Sequence, residues 1–583
     1  MLKMLEFTTK REARERTFAT VDGVNLFYRH WPATTAGGET KAIVLLHRGH
    51  EHSGRLAHLV EELNLPEWAF FALDARAHGR SGGQQDSGTT MATFVQDLDD
   101  FVRHLHAEYG LAVEQLAVVA QSMGAVIAAA WVHDYAPDIR CLVLASPAFR
   151  VKLYVPFARP SLTLAHAAAG DFFVQSYVKG QALTQDAERA ASYATDPLIK
   201  RPISVRVLLS LDQMAQRLVD DAAAIRVPVQ MLISGSDWVV RQSPQRKFYE
   251  RLGSAEREWH VFPGLRHDTL GERDRQAPLA KLRAFVERTF APKPSLLAGD
   301  NFTRREYEQL QQPLPAWVPR AWPFTGQRLF MQTLGRWSAG MRMGSATGYD
   351  SGASLDYVYR NQPTGTTPLG KLFDYFYLNA IGWRGVRVRR RLLEELLGRA
   401  MRRLAAQGRA VHLVDIAAGH GRYVLEGVAK SGVTAASILL RDFDQANVIA
   451  GQAAIARQDL QQARFEQADA FDAASFAGVR ANIGIVSGLY ELFPDNAGVS
   501  ASLAALGGVI EPGGYLLYTG QPWHPQIEMI ARTLTSHRGG RPWIMRRRTQ
   551  EELDALVASA GFRKVEQRID PTGLFTVSLA ERL

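Results

Sequence analysis

The chain has 583 residues and one cysteine, Cys141, so it cannot close a disulfide within itself. A lone thiol in the apolar run CLVLASPA fits a reducing compartment, and a cytoplasmic protein is expected. The opening stretch MLKMLEFTTKREARER lacks both an apolar core and a small-residue cleavage site, which argues against a signal peptide. Long apolar runs are also missing. The most apolar window, Leu116 to Val132, carries Gln121 and Ser122 at its middle and reads as a strand turning into a helix. Although net charge is +9, no nucleic-acid recognition motif accompanies it, and no nucleic acid is expected as a partner. Two glycine motifs each lack their first glycine: AQSMG (120–124) and DIAAGHG (415–421).

What is present is ordinary for globular protein, 46% hydrophobic and 22% charged, and the length suits two large α/β domains. From Arg16 to about Ala291, short apolar runs alternate with helical patterns, the rhythm of a mainly parallel sheet with crossover helices. Between about 150 and 225 the rhythm stops and helical segments take over. An insertion there would lie over the C-terminal edge of the sheet, where open α/β folds place their sites. The prolines of APKPSLLAGDNF and QQPLPAWVPRAWPF mark residues 296–353 as a connection. A helical, tyrosine-rich segment follows from about Ser354, and then a second strand rhythm begins at VHLVDI. The expected domains are 1–295 and 354–583.

A serine nucleophile needs a tight, strained turn between strand and helix, with small residues two places to either side. Ser122 has Ala120 and Gly124 there, after strand LAVVA and before helix MGAVIAAAW. Asp237, in LISGSDWVV, and His267, in FPGLRHDTL, each follow a later strand. Ser, Asp, His is the chain order of the α/β-hydrolase triad, with His267 as base and Asp237 fixing its tautomer. The Gly49 and Met123 N–H groups could form an oxyanion hole. HRGHEHSGR (47–55), LDARAHGRSGG (73–83), AQSMG, GSD and RH together resemble the monoacylglycerol lipase and lysophospholipase branch of the α/β-hydrolases. Arg48 and Ala120 stand where that family usually has glycine. The resemblance covers the first half and implies a helical lid and a lipid-like carboxylic ester as substrate.

In VHLVDIAAGHGRY a strand ends at Asp415, and Gly419 and Gly421 open a helix. A dinucleotide motif would carry three glycines and no such acid. The order resembles the first motif of class I S-adenosylmethionine-dependent methyltransferases, with their Rossmann-like fold. RDFDQANV and SGLYELF resemble a little-characterised methyltransferase group found fused to such hydrolases. The resemblance implies S-adenosylmethionine held by Asp415, Gly419, Gly421 and Asp442, the last on the ribose. Asp469, Ala470 and Phe471 would meet the adenine. Tyr490, Glu491 and His524 are candidates for facing an unknown methyl acceptor.

The expectation is therefore a serine ester hydrolase fused to a methyltransferase, with no metal ligands. Its alternative is an active esterase whose second half only binds cofactor or serves as a scaffold. Arginines at 384, 387, 389, 390 and 391, and at 546–548, suggest a solvated helix face or a peripheral contact with anionic membrane.

Overall fold

The computed structural model describes residues 11–34, 40–84, 89–290 and 302–583. The chain separates into two compact units, Met1–Ser295 and Leu296–Leu583. The boundary between them falls at positions outside the described residues.

The first unit is built on an eight-stranded sheet. Its strands are β1 (Arg14–Ala19), β2 (Asn25–Trp31), β3 (Ala42–Leu46), β4 (Ala69–Leu73), β5 (Leu116–Gln121), β6 (Cys141–Ala145), β9 (Val229–Ser234) and β10 (Arg257–Phe262), in the order β1-β2-β4-β3-β5-β6-β9-β10. From β4 to β10 neighbours run parallel, and β2, antiparallel to both β1 and β4, alone runs against the rest. Strands β3, β4, β5, β6 and β9 are buried throughout, because helices cover both faces; hence their unbroken apolar runs. The helix after β5, Met123–Tyr135, is apolar all round and buried all round.

Between β6 and β9 the chain leaves the sheet. This insertion contains helices Ala158–Ala169, Gly180–Leu183, Ala187–Thr195 and Val205–Asp220, with a short ribbon of β7 (Phe173–Gln175) and β8 (Pro202–Ser204). Helix 158–169 buries none of its residues.

The second unit holds a seven-stranded sheet: β11 (Val411–Asp415), β12 (Ala435–Asp442), β13 (Ala463–Gln467), β14 (Ala481–Val486), β15 (Ile510–Gly520), β16 (Phe562–Ile569) and β17 (Thr576–Arg582). Their order is β13-β12-β11-β14-β15-β17-β16. The five strands from β13 to β15 are parallel, and β17 enters antiparallel between β15 and β16. This is the Rossmann-like arrangement with an antiparallel ending.

The expected connection, 296–353, takes a different form wherever it is described. Residues from 302 onward make helices Phe302–Gln311, Trp322–Gln332, Ala339–Thr347 and Gly352–Arg360. Two of the prolines that suggested a linker sit at helix starts: Pro319 opens a 3-10 turn, and Pro323 lies in the first turn of helix 322–332, where a missing N–H costs nothing. Met331, Tyr349, Tyr357 and Val358 join a core with Trp383 and Phe575. These helices belong to the second unit.

The arginine clusters are also corrected. Arg546, Arg547 and Arg548 are 1%, 5% and 4% exposed, so they form no surface patch. Arg546 pairs with Glu552 at 2.8 Å, Arg547 pairs with Glu306, and Arg548 donates to the Tyr490 carbonyl at 2.7 Å. Arg389 is buried, and Arg390 pairs with Glu394 at 2.7 Å. Only Arg384 and Arg391 of that cluster are exposed. Among the described residues no helix is long and apolar enough to cross a membrane.

Candidate functional site

Strand β5 ends at Gln121, and helix 123–135 begins at Met123, leaving one residue to make the turn. That residue, Ser122, has φ 56° and ψ −113°, a strained conformation for a residue with a Cβ. Such closeness dictates the neighbours. A Cβ on Gly124 would lie 2.5 Å from the His47 carbonyl oxygen, so only glycine fits. Ala120 lies within β5, paired with Leu46 and Leu144, where its methyl is packed in the sheet.

The Ser122 hydroxyl is 2.7 Å from His267 Nε2, and His267 Nδ1 is 2.7 Å from Asp237 Oδ2. The other Asp237 oxygen accepts from the Val239 and Val240 N–H groups at 2.7 and 2.9 Å. Burial opposes ionisation of Asp237, but the His267 ring and these amides together hold it below the usual carboxylate range. Met123 and Gly49 stand side by side, with a Gly49 Cβ position 3.7 Å from Met123 Sδ. No hydrogen-bond partner for either backbone N–H is found among the described residues. The structure thus brings Ser122, His267 and Asp237 into one relay and sets Gly49 beside Met123. What they do together is taken up below.

Sequence reasoning missed Asp268. This wholly buried carboxylate accepts from Gln121 Nε2 at 3.0 Å and faces Arg48 at 3.2 Å and Arg189 at 2.5 Å. One side chain thus ties the serine turn, the loop of Gly49, the histidine loop and the inserted helix 187–195. Burial works against its charge, but Arg189 and Arg48 overcome this and keep it ionised to very low pH. Arg48, in the family's glycine place, also pairs with Glu51 at 2.6 Å. Glu51 and His52 hold their own loop, Glu51 through Arg48 and Arg55, and His52 through Asp196 at 2.9 Å.

Above Ser122 opens a cavity of about 600 Å³. Its walls are mostly apolar, from Val151, Leu162, Val174, Ile203, Leu208 and Leu211 of the insertion and its flanks. Such a volume suits an acyl chain.

In the second unit, Asp415 is wholly buried and turned inward. It accepts from the Ala417 N–H at 3.0 Å and from the Tyr423 hydroxyl. Burial pushes its carboxyl up to about 7. Asp415 therefore shapes the glycine loop from beneath. Gly419 and Gly421 both have positive φ, 56° and 71°, and a Cβ on Gly421 would come within 2.6 Å of Leu440. Asp442, at the end of β12, accepts from Gly419 N–H at 2.9 Å, Asp444 N–H at 2.9 Å and Asn447 Nδ2 at 3.0 Å. Over this loop lies helix 352–360: Gly352 Cα is 3.8 Å from the position of a Gly419 Cβ. A cavity of about 40 Å³ between them is lined by Leu355, Asp356, Tyr359, Arg389 and His420. The cover helix and Arg389 were not found from sequence, because nothing local in 352–360 signals a glycine loop sixty residues on.

Phe471 follows β13 but packs at a tilt against Phe493, centroids 4.1 Å apart and planes at 45°. Asp469 is exposed and accepts from the Phe471 N–H at 2.9 Å, and Ala470 is packed in the core. Of the acceptor candidates, Glu491 and His524 line one cavity of about 100 Å³. Tyr490 does not. Its hydroxyl meets Ser502 at 3.1 Å inside the core, because a 3-10 turn at Tyr490–Leu492 rotates it inward.

Fold and site together define an α/β-hydrolase joined to a Rossmann-like methyltransferase fold. Residues 38–274 match the family described as "Serine aminopeptidase, S33". The chain belongs to the family described as "Putative methyltransferase", whose profile matches residues 282–582 and so takes in the helices from 302 onward. Among its relatives, "Uncharacterized protein YnbC" of Escherichia coli (strain K12) is 51% identical, covering 97% of this chain and 98% of that protein. The "Monoacylglycerol lipase" of Mycolicibacterium smegmatis is 27% identical over 47% of this chain and 96% of its own length. A soluble variant of the Saccharomyces cerevisiae monoglyceride lipase, solved with a substrate analogue, shares 19% identity, with a TM-score of 0.42 over 48% of this chain and 97% of that one.

Proposed function

We propose that the first unit is a serine hydrolase of lipid-like carboxylic esters and that the second is an S-adenosylmethionine-dependent methyltransferase. The observation that carries the first half is the relay Ser122–His267–Asp237, with both links at 2.7 Å and the serine on a strained turn. The name of the mycobacterial relative, a monoacylglycerol lipase, supports the substrate class, as does the apolar cavity over Ser122.

In this reading His267 Nε2 takes the Ser122 proton as the oxygen attacks the ester carbonyl. Asp237 stabilises the imidazolium that forms. The Gly49 and Met123 N–H groups receive the developing oxyanion. His267 then returns its proton to the departing alcohol, and a water activated by the same ring releases the acid from Ser122.

For the second unit, the residues present fit an adenosyl cofactor. Gly419 and Gly421 bend the loop at positive φ, a Cβ on Gly421 would strike Leu440, and Asp442 keeps a free lone pair at a strand end. Bound there, S-adenosylmethionine would supply an activated methyl group. The glycine loop would hold its chain, and Asp442 its ribose. Asp469, Ala470 and Phe471 would flank the adenine, and Glu491 and His524 the acceptor.

A fluorophosphonate probe should label the protein, and Ser122→Ala should abolish labelling and cut ester hydrolysis by about a thousandfold or more. Labelling of the alanine variant equal to wild type would place the nucleophile elsewhere. Calorimetry should show S-adenosylmethionine binding that Asp442→Ala weakens. Binding without methyl turnover on any acceptor would favour a cofactor-binding scaffold.

A further inference from the structure

The cavity of about 100 Å³ in the second unit is walled by Trp383, Val386, Ile530, Leu534, Trp543 and Phe575. Trp383 and Trp543 lie nearly parallel, with an interplanar angle of 22°. Three polar side chains, Arg389, Gln521 and His524, each 4–5% exposed, line it from buried positions, together with two carboxylates: Glu491 beside Arg389, and Asp350, whose oxygens are already taken by Ser536 and His537.

All three have unused donors. The Gln521 amide has no hydrogen-bond partner among the described residues. His524 Nδ1 accepts from the Gln526 N–H at 3.0 Å, so in the neutral ring the proton is on Nε2. Burial lowers this ring to about 4, which keeps it neutral near pH 7, and Nε2–H finds no partner among the described residues. Arg389 Nε is buried without a hydrogen bond, and its one acidic neighbour, Glu491, is 3.5 Å from Nη1. Buried donors left unmade cost stability, so several in one cavity mark a place for a ligand rich in acceptors. A guanidinium among them selects an anion, and one with a flat pair of oxygens best.

Size narrows the class. An apolar cavity of about 150 Å³ takes benzene, and this one, at about 100 Å³, is smaller, so it admits at most a single ring or a small branched body and no long chain. Position adds the rest. Leu355 and Arg389 line both this cavity and the smaller one at the glycine loop. A group held by Arg389 therefore stands between the acceptor pocket and the loop.

We propose that the methyl acceptor of the second unit is a compact carboxylate, an ionised carboxyl on one ring or branched apolar body, bound by Arg389, Gln521 and His524. This rests on the methyltransferase reading above. A carboxylate oxygen forms the new O–CH₃ bond while the methyl–sulfur bond breaks and the sulfur keeps the electron pair. The sulfonium becomes a thioether, and the acid becomes its methyl ester. No proton moves, so the step asks for no base, which matches a pocket whose histidine is a donor at Nε2 with Nδ1 already accepting from Gln526.

The test uses the full chain with benzoate as probe, read by ligand-observed NMR and calorimetry, alone and with S-adenosylhomocysteine. Benzoate should bind, with neutral benzamide and phenol about tenfold weaker or more, the loss expected for a hydrogen bond to charge. Gln521→Leu and the near-isosteric Gln521→Glu should both weaken benzoate while leaving S-adenosylhomocysteine affinity unchanged, which also shows that the unit is folded. Equal affinity for benzoate and benzamide, or preference for phenol, would overturn the proposal. So would an Arg389→Met variant that loses S-adenosylhomocysteine but keeps benzoate, since the anion would then be the cofactor's own carboxylate. Failure of S-adenosylhomocysteine to bind wild type, with benzoate still bound, would instead overturn the methyltransferase reading and this acceptor role with it.

Discussion

At Ser122 the two flanking small residues have unequal duties. Gly124 faces the His47 carbonyl oxygen, and any Cβ would sit 2.5 Å from it, a distance backbone must move to relieve. Gly124→Ala is therefore expected to cost several-fold to a hundredfold in ester hydrolysis, since misplacing a reacting atom by about 1 Å costs that much. Ala120→Gly should stay within a few-fold of wild type, because the methyl lies within the sheet. Steady-state rates on a p-nitrophenyl ester compare them. In the second unit, Asp415 gives a pH signature. Its carboxyl is raised to about 7 by burial, so the folded state prefers the protonated form. The fold then loses stability as pH rises from the unfolded carboxylate pKa near 4 to about 7, and the loss is complete above that. Asp415→Asn removes the titration. Chemical denaturation should find the variant weaker than wild type at pH 5, and that deficit should shrink, on the order of a few kcal/mol, by pH 8.

Among elements, the segment holding Arg546–Arg548 shows what sequence could and could not disclose. Three adjacent arginines look like a surface patch when partners are unseen. Glu552 is near in sequence, but Glu306 and the carbonyls of Pro522 and Tyr490 come from distant parts of the chain. Arg547→Met should destabilise the second unit by about 3 kcal/mol, as breaking a buried ion pair does, and leave binding to phosphatidylglycerol vesicles unchanged. Thermal unfolding and vesicle sedimentation read the two effects separately. The hydrolase site was legible for the opposite reason. A nucleophile turn imposes its demands within five residues, and each partner follows a strand end, so local pattern carries the geometry. Direction within a turn is not so legible. Tyr490 follows its strand as the pattern suggested, but a single 3-10 turn sends it into the core while Glu491 reaches the cavity.

For the whole molecule, the two sheets were visible as two rhythms, and the boundary of the second was not. The prolines between 302 and 353 read as a connection because the core that Met331 and Tyr349 of this stretch enter includes residues far downstream, such as Trp383 and Phe575. We expect pieces 1–295 and 296–583 each to fold, the first with esterase activity and the second with S-adenosylhomocysteine binding. A piece beginning at 354 should aggregate or lose that binding, because it opens the shared core and removes Gly352 from above Gly419. Separate expression and calorimetry of the three pieces decide this.

The ties of Asp268 have a mechanical meaning for the insertion over Ser122. Helix 187–195 is bolted down along its length, by Arg189 on Asp268, by Arg55 on Ser192, and by Asp196 on His52. Helix 158–169 is tied near its start, by Arg159 to Asp212 and to the Val151 carbonyl, each at 3.0 Å, while Phe157 and Leu164 stand 81% and 72% exposed. The insertion is thus a door pinned along helix 187–195 and held more lightly at helix 158–169. For the ester hydrolase proposed above, the side of 154–164 is the expected way in, since the pin at Asp268 adjoins His267 itself.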